Sequence, residues 1–142
     1  MANVTIDGKK TEALPGTTIL QAARQIGIHI PTLCYLEGKD PIGACRVCVV
    51  EMQGGRNLVS SCSTPVSEGM VVYTNSPRVR KARKLVVELL LSEHEGDCQF
   101  CDRSEDCGLK ALAHSLGIRE PRYIGEKPKR LVDNTSAALV RD

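Results

Sequence analysis

The sequence predicts an α+β fold in two consecutive parts, and three observations predict it. Near the amino terminus, apolar and polar residues alternate on both sides of an Asp-Gly pair, which is a strong signal of a β-hairpin. Apolar residues at helical spacing follow directly. The seven cysteines then fall into two groups, one that begins in a long loop after this helix and one that follows a second helix. A hairpin, a helix, a cysteine-rich loop and further strands, in that order, are typical of a β-grasp domain.

Local signals place the amino-terminal elements in order. Residues 4–7 and 10–14 predict two strands that pair across the Asp-Gly turn, and a Pro-Gly pair closes the second strand. Thr17 or Thr18 can accept hydrogen bonds as the N-cap of a helix that runs to about Ile26. The regular pattern then stops, and scattered prolines and glycines indicate a long loop. A loop of this length without its own regular structure is usually functional.

Three strands and a long helix are predicted after this loop. Residues 47–52, 58–59 and 70–74 are the predicted strands. Ser76 is suited to cap a helix whose first residue is proline, and this helix is expected to end near residue 93. Its predicted apolar face consists of Val79, Ala82, Val86, Leu89 and Leu90.

Five basic residues occupy the first turns of the same helix, outside that apolar face. Such a run could contact nucleic acid. No aromatic residue is interleaved, however, so a solvated face or a contact with a partner subunit is the preferred interpretation. Neither a Gly-x-Gly-x-x-Gly fingerprint nor a P-loop is present, so no nucleotide site is predicted. The basic residues are Arg78, Arg80, Lys81, Arg83 and Lys84.

The last third of the sequence predicts a short helical region and a tail. A helix is expected over residues 108–116, and Gly117 is suited to end it. Residues 121–142 are rich in charge and proline and show little periodicity, which indicates an extended tail or a linker. The domain boundaries predicted from these changes in pattern are 1–77, 78–120 and 121–142.

Length, charge and cysteine usage exclude several classes of protein. The chain has 142 residues and a formal net charge of +2, so its charge implies no particular partner. The number of cysteines is odd and no signal peptide precedes the first strand, which argues against a disulfide-stabilised secreted protein. The longest apolar run, near residues 85–91, is too short to span a bilayer. A cytoplasmic location and a metal or cluster site are therefore expected.

Four cysteines form the first candidate site, with the spacing Cys34-x10-Cys45-x2-Cys48-x13-Cys62. Four thiolates can bind zinc or iron, but zinc favours two compact Cys-x2-4-Cys pairs. Here one close pair is flanked by single distant cysteines, which is the plant-type layout of a 2Fe-2S site. Gly43 and the alanine after it let loop N–H groups approach the sulfides of a cluster. The first site is therefore predicted to hold a 2Fe-2S cluster.

The other three cysteines follow a histidine, with the spacing His94-x3-Cys98-x2-Cys101-x5-Cys107. A lone histidine after a helix is usually solvated or caps the helix, but its distance to the first of these cysteines favours ligation. One imidazole and three thiolates are also a common zinc ligand set, so spacing alone leaves zinc and iron open. The two remaining histidines have no cysteine group in frame and are predicted to be surface or partly buried residues.

Several segments around these sites resemble a known family. Residues 30–34, 43–51 and 61–66 are similar to the amino-terminal ferredoxin domain of iron-only hydrogenases. They are equally similar to the iron–sulfur subunit of respiratory complex I and to the amino terminus of NAD-dependent formate dehydrogenases. These proteins and this chain share a longer gap after the first cysteine than plant ferredoxins have. Residues 75–83 and 89–94 resemble the helix that leads into the family's second cluster.

The resemblance implies the cofactors and the role of the chain. In the family the second site is a 4Fe-4S cluster held by one His and three Cys, which implies His94, Cys98, Cys101 and Cys107 as its ligands. The expected fold is then a β-grasp 2Fe-2S ferredoxin domain, a small helical domain with this His-ligated 4Fe-4S cluster, and an extended tail. No catalytic residue is expected. The chain would relay single electrons between a flavin or NAD(P)H module and a catalytic centre, with hydrogenase favoured over formate dehydrogenase or complex I.

The same resemblance implies the partners. They are other subunits of a redox complex: a flavin- or NAD-binding subunit, and a catalytic subunit or further ferredoxin domains. No nucleic acid and no membrane span are expected. In hydrogenase-like relatives, the segment similar to residues 135–142 leads into a further cysteine-rich domain, so the chain is expected to be a short subunit or the front part of a longer one. The alternative is a zinc-stabilised module that binds protein or nucleic acid.

Overall fold

The computed structural model describes residues 1–94, 98–126, 133 and 135–138 of the protein. Regular structure in these residues begins with a hairpin and a helix, continues through three strands and ends with two helices. In chain order the elements are β1 (Ala2–Ile6), β2 (Lys9–Ala13), α1 (Ile19–Gln25), β3 (Val49–Met52), β4 (Val59–Ser60), β5 (Met70–Tyr73), α2 (Pro77–Glu93) and α3 (Gly108–Ser115).

The described strands form one mixed sheet in the order β2-β1-β5-β3-β4. β1 and β5 pair in parallel, whereas the other neighbours are antiparallel. Ile19 and Leu20 of α1 are fully buried in one core with Ile6, Val50 and Val72 of the sheet. Burial of an aliphatic side chain stabilises a fold by about 1.5–3 kcal/mol, so this small aliphatic core holds helix and sheet together. The predicted α+β class is confirmed.

The hairpin turn and the start of the first helix lie where local sequence signals predict. Asp7 and Gly8 have φ angles of 47° and 82°, and a type I′ two-residue hairpin turn requires positive values at both positions. The Thr18 side chain accepts a hydrogen bond from the N–H of Gln21, whose side chain accepts one from the N–H of Thr18. This reciprocal capping satisfies two N–H groups at the start of α1.

The buried face of α2 differs from the predicted one. Ser76 caps the helix and Pro77 begins it, as predicted. Leu89, which was expected inside, is 47% exposed, whereas Arg83, which was expected on a solvated basic face, is 5% exposed. The prediction is wrong for both residues because it excluded charged side chains from the inner face. The side chains that α2 buries are Val79, Arg83, Val87, Glu88 and Ser92.

A second apolar core lies between α2, α3 and the loop that precedes β3. Val47 contributes to this core together with residues of both helices. Leu33 and Cys45, which belong to the loop between α1 and β3, pack against it. A β-carbon at Gly108 would lie 3.6 Å from Cδ2 of Leu33, so the start of α3 directly contacts this loop. The cysteine-rich loop therefore contributes to both cores.

The chain after α3 returns along α2. Arg122 pairs with the buried carboxylate of Glu88. A β-carbon at Gly125 would lie 2.9 Å from the Ser92 hydroxyl, so the backbone passes close to the end of the helix. Residues 121–126 contain no helix or strand, as expected of an extended tail, but they are anchored rather than free. Most of the predicted tail beyond them lies outside the described residues.

None of the helices in the described part of the chain is both long enough and apolar enough to cross a membrane.

Candidate metal centres

The first group of cysteines lies where the loop after α1 meets the sheet. Cys34 and Cys45 belong to this loop, Cys48 directly precedes β3, and Cys62 follows β4. Cys48 and Cys62 are each 1% exposed, and the other two are partly exposed. All seven cysteines of the chain are among the described residues, and none forms a disulfide. Each therefore has a thiol that is available as a ligand.

The four thiols lie close to one another. The Cys34 side chain is near enough to Cys45 to lower the pKa of that thiol. The Cys48 side chain raises the pKa of the Cys62 thiol, and Cys34 is also close enough to Cys62 to influence it electrostatically. The structure thus brings together all four cysteines that the sequence predicts for the first site. Two pairs of thiolates are the donor set that a cluster of two iron atoms requires.

The electrostatic environment of these thiols favours a bound cation. Burial, the hydrogen bond with Cys48 and the charges of Cys48 and Cys34 raise the pKa of the Cys62 thiol to about 11. Burial also acts to raise the pKa of Cys45, but backbone N–H groups of the loop and the Cys34 side chain outweigh it and lower that pKa. Thiolates in such proximity repel one another, and positively charged iron offsets the repulsion when it binds.

The backbone around the close cysteine pair adopts an unusual conformation. Gly43 and Arg46 have φ angles of 66° and 57°. For a side chain other than glycine this conformation costs about 1–2 kcal/mol. The Arg46 guanidinium donates to the Ser60 hydroxyl at 3.3 Å, and that hydroxyl lies 2.6 Å from the Ser63 hydroxyl. These hydrogen bonds join the strained loop to the segment that carries the fourth cysteine.

Backbone hydrogen bonds fix the segment around the fourth cysteine. Ser61 donates to the Cys48 carbonyl through both its N–H, at 3.1 Å, and its hydroxyl, at 2.8 Å. The first N–H groups of α1 point at the same segment: Ile19 donates to the Thr64 carbonyl at 2.9 Å and Leu20 to the Ser61 carbonyl at 3.0 Å. The position of the fourth cysteine is therefore set by hydrogen bonds from the start of α1.

Three of the four residues predicted for the second site line one cavity of about 270 Å³. They are His94, at the end of α2, and Cys98 and Cys107, which lie on the two sides of the following loop. Cys101 is partly exposed and does not line this cavity. Residues 95–97, which connect the histidine to the first of these cysteines, lie outside the described residues.

Cys107 occupies the N-cap position of α3. Its sulfur accepts a hydrogen bond from the N–H of Lys110 at 3.4 Å. The orphan N–H groups at a helix N-terminus point outward along the helix axis and can donate to an acceptor there. The first turn of α3 therefore fixes the position of the Cys107 sulfur.

The two candidate metals place different demands on the same donor types. A tetrahedral zinc ion requires four ligands at about 2.0–2.3 Å from one atom. An iron–sulfur cluster distributes its ligands over two or four iron atoms and is held mainly through thiolates. Within the described ranges 1–94 and 98–126, no group of three His, Cys, Asp or Glu side chains has the arrangement of a site for a single ion.

Arg83 is the residue near the first site that sequence reasoning missed. Its Nε donates to the Val47 carbonyl at 2.9 Å. One terminal nitrogen donates to the carbonyls of Val49, at 3.0 Å, and Thr74, at 3.3 Å. The available signal was its position on α2, four residues from a buried valine on each side.

The comparison with protein families decides between the candidate metals. Residues 1–77 match the model of the 2Fe-2S iron-sulfur cluster binding domain, which covers more than half of the chain and all four cysteines of the first site. The chain belongs to the 2Fe-2S iron-sulfur cluster binding domain family. Residues 83–122 match the NADH-ubiquinone oxidoreductase-G iron-sulfur binding region, which contains the other three cysteines. The predicted cofactors, one 2Fe-2S and one 4Fe-4S cluster, agree with these two matches.

Relatives of this family member include subunits of hydrogenases and of respiratory enzymes. The NADP-reducing hydrogenase subunit HndD of Solidesulfovibrio fructosivorans is 49% identical over 147 residues, covering 100% of this chain and 25% of the relative. The NADH-ubiquinone oxidoreductase 75 kDa subunit of Reclinomonas americana is 43% identical over 141 residues, covering 99% of this chain and 20% of the relative. The solved structure of an NAD+-reducing NiFe hydrogenase in the H2-reduced state matches with a TM-score of 0.86 and 32% identity, over 96% of this chain and 57% of that chain.

These comparisons confirm the resemblance predicted from the cysteine segments. The 2Fe-2S family member spans a quarter or less of the length of these two curated relatives. It corresponds to an iron–sulfur module of larger NAD(P)-linked oxidoreductase subunits.

Proposed function

We propose that this member of the 2Fe-2S family relays single electrons between a flavin or NAD(P)H module and the catalytic centre of an oxidoreductase complex. The observation that supports this most directly is the division of all seven cysteines, with one histidine, between two ligand sets. Iron that is fully ligated by thiolate and imidazole has no open position for a substrate. A cluster held in this way exchanges electrons, and the chain is not catalytic by itself.

In this proposal Cys34, Cys45, Cys48 and Cys62 hold the 2Fe-2S cluster. The proximity of Cys34 to Cys45 and of Cys48 to Cys62 supports the assignment, because each pair would serve one iron atom. Backbone N–H groups of the loop are directed at the Cys45 sulfur. Such hydrogen bonds to ligand sulfur are one of the means by which a protein adjusts the reduction potential of a cluster.

The proposed ligands of the 4Fe-4S cluster are His94, Cys98, Cys101 and Cys107. The shared cavity of three of them and the helix N-terminus at the last one support this assignment. A neutral imidazole in place of one thiolate removes a negative charge from the site. The reduction potential of this cluster is therefore expected to be higher than that of an otherwise equal all-cysteine cluster.

The proposed domain division places the 2Fe-2S domain in residues 1–77, the His-ligated 4Fe-4S domain in 78–120 and a tail in 121–142. The change of core near the start of α2 supports the first boundary. The contact of Leu33 with the start of α3 implies that the two domains are packed closely. A cytoplasmic location is part of the same proposal.

A hydrogenase complex is the preferred setting. The 49% identical relative is an NADP-reducing hydrogenase subunit, which supports this setting over a formate dehydrogenase or complex I. The partners would then be a flavin- or NAD-binding subunit, and a catalytic subunit or further ferredoxin domains.

Absorption and paramagnetic resonance spectra of the full-length protein, purified without oxygen, test the proposal. We expect a brown protein whose visible bands bleach with dithionite, and two distinct resonance signals on reduction. A colourless protein that contains zinc instead of iron would support the zinc-stabilised module and end the proposal. If the iron–sulfur signals are found, the mass of the native polypeptide and the identity of co-purifying subunits would assign the reaction.

A further inference from the structure

The guanidinium of Arg83 is held between the two parts of the chain. It projects from the middle of α2, the helix that ends at His94, into the base of the loop that carries Cys45 and Cys48. Three backbone carbonyls accept its N–H groups at 2.9–3.3 Å, two of them from the residues that flank Cys48. Because the side chain is 5% exposed, these bonds lie in an environment of low dielectric constant.

The charge of Arg83 has no carboxylate partner in the described part of the chain. Burial lowers its pKa, and the negative charge of the Cys48 thiolate acts in the opposite direction. Burying a guanidinium without a counter-charge is costly, even where carbonyl groups accept its protons. The nearby negative charge that can offset this cost is that of the first thiolate set. Four thiolates outweigh the positive charge of a 2Fe-2S core, so that site is anionic and becomes more so on reduction.

We propose that Arg83 is a positioning residue of the 2Fe-2S site and its built-in counter-charge. Its three-carbonyl contact fixes the loop around Cys48, and its charge raises the reduction potential of the cluster held there. The inference rests on the proposed ligand set of the first site. It goes beyond that set by naming a residue that is not a ligand and that raises the reduction potential of the cluster.

The direction of the effect follows from charge alone. An added electron makes the site more negative, and a fixed positive charge stabilises the reduced state more than the oxidised state. Since the guanidinium is buried, mobile ions screen it less than they screen a surface charge. Its contribution to the potential should therefore persist at high ionic strength.

The test uses neutral and charged replacements of Arg83 in the full-length protein, with Arg80 as the matched control. Arg80 is an exposed arginine on the same helix, and its guanidinium donates to the Asn75 carbonyl at 3.3 Å. The variants are R83M and R83Q, which remove the charge, R83K, which keeps the charge but not the planar fork, and R80M. The measurements are iron content, the midpoint potential from a resonance-monitored titration at low and high salt, and the thermal unfolding temperature.

We expect R83M and R83Q to decrease the equilibrium constant of one-electron reduction at least tenfold, which is about 59 mV toward negative potential. The shift should be retained at high salt, whereas R80M should stay near the wild-type potential. R83K should have a midpoint potential close to that of wild type. It should unfold at a lower temperature than R80M, because lysine lacks the planar guanidinium that joins three carbonyls. Loss of the 2Fe-2S signal in R83M, with the signal fully retained in R80M, would support the positioning role. The effect of the charge on the midpoint potential would then be measured in R83Q.

Two results would overturn the inference. One is a potential for R83M or R83Q within the scatter of R80M, with the cluster intact. The other is an R83K protein whose potential falls as far as that of the neutral variants, since charge would then not be the cause. Failure of the proposed function is a separate result, because a wild-type protein without a 2Fe-2S resonance would end that proposal before any variant is compared.

Discussion

Arg122 and Glu88 form a two-point ion pair that joins the chain after α3 to the middle of α2. The Nε of Arg122 lies 3.0 Å from both carboxylate oxygens of Glu88. The Glu88 side chain is 2% exposed, whereas that of Arg122 is 63% exposed. The buried carboxylate therefore needs this partner to offset its charge, whereas water can solvate the exposed guanidinium. The pair holds the start of the tail against the helix that ends at His94.

This ion pair predicts a pH-dependent contribution to stability. The hydrogen bonds from Arg122 hold the pKa of Glu88 below its usual value. Because the pKa is lower in the folded chain, the pair stabilises the protein above the unfolded value of about 4.3, and the effect is lost as the pH falls through the folded value. R122M should therefore unfold at a lower temperature than wild type at pH 7, and the difference should shrink as the pH falls below about 4.3.

The control for this prediction is Arg80, an exposed arginine on the same helix as Glu88 that forms no ion pair within the described residues. Any difference between R80M and wild type should not depend on pH, so that acid sensitivity of the clusters cancels in the comparison. A difference between R122M and wild type that does not shrink between about pH 4.3 and about pH 3 would contradict the assignment to Glu88.

The assignment of His94 as a ligand predicts selective loss of one cluster. In H94A the 4Fe-4S signal should disappear, and the iron content should fall toward that of the 2Fe-2S cluster alone, because alanine supplies no donor atom. The 2Fe-2S signal should remain, since the first site shares no ligand with the second. H114A is the control: this histidine lies on the exposed side of α3. Both signals at wild-type intensity in H94A would show that histidine is not a ligand.

Replacing one cysteine at each site provides a reciprocal test. C48S should remove the 2Fe-2S signal and also destabilise the amino-terminal domain, because Cys48 is 1% exposed within the first core and serine would place a polar hydroxyl there. C107S should remove the 4Fe-4S signal with a smaller loss of stability, since Cys107 is at a partly exposed helix cap. Metal binding and folding are coupled in small cores. Equal effects of the two variants on both clusters would contradict two independent sites.

Most of the fold could be predicted because its signals are local. The turn at Asp7, the cap at Thr18 and the cap at Ser76 each depend on residues within one turn of the chain. The orientation of α2 could not be predicted in the same way. The carbonyl groups that receive Arg83 come from Val47 and Val49, just before and at the start of β3, and from Thr74, directly after β5, and only the folded chain brings them to one place. A rule that places charged residues outside therefore failed for this residue.

Part of each candidate site could be predicted from the sequence. Cysteine type and spacing group the candidate ligands, since metal sites reuse a small set of spacings. The proximity of Cys34 to Cys45 and the position of Cys107 at a helix N-terminus depend on the folded chain and could not be predicted from spacing. Glu88 and its partner Arg122 are 34 residues apart, which is too far for a local pattern to indicate.

The positive φ angle of Gly43 predicts a site-specific effect of one added methyl group. G43A should destabilise the fold by about 1–2 kcal/mol, because an alanine at φ 66° is strained. Its β-carbon would also lie 3.4 Å from the Ser63 hydroxyl, beside the hydrogen bond between Ser63 and Ser60. Relief of the strain would shift the loop that carries Cys45, so G43A should lose its 2Fe-2S cluster faster in mild denaturant.

The matched control is G54A, at the turn between β3 and β4. Gly54 has a φ angle of 75°, and a β-carbon there would meet nothing within 4 Å. G54A should therefore lower the unfolding temperature to a similar extent. At denaturant concentrations that leave the same fraction of each protein folded, its rate of cluster loss should stay close to that of wild type. The measurement is the decay of visible absorbance in a denaturant series without oxygen. If both variants lose the cluster at the same rate, G43A acts only through the general stability of the fold. The loop around Cys45 would then not depend on the backbone conformation of Gly43.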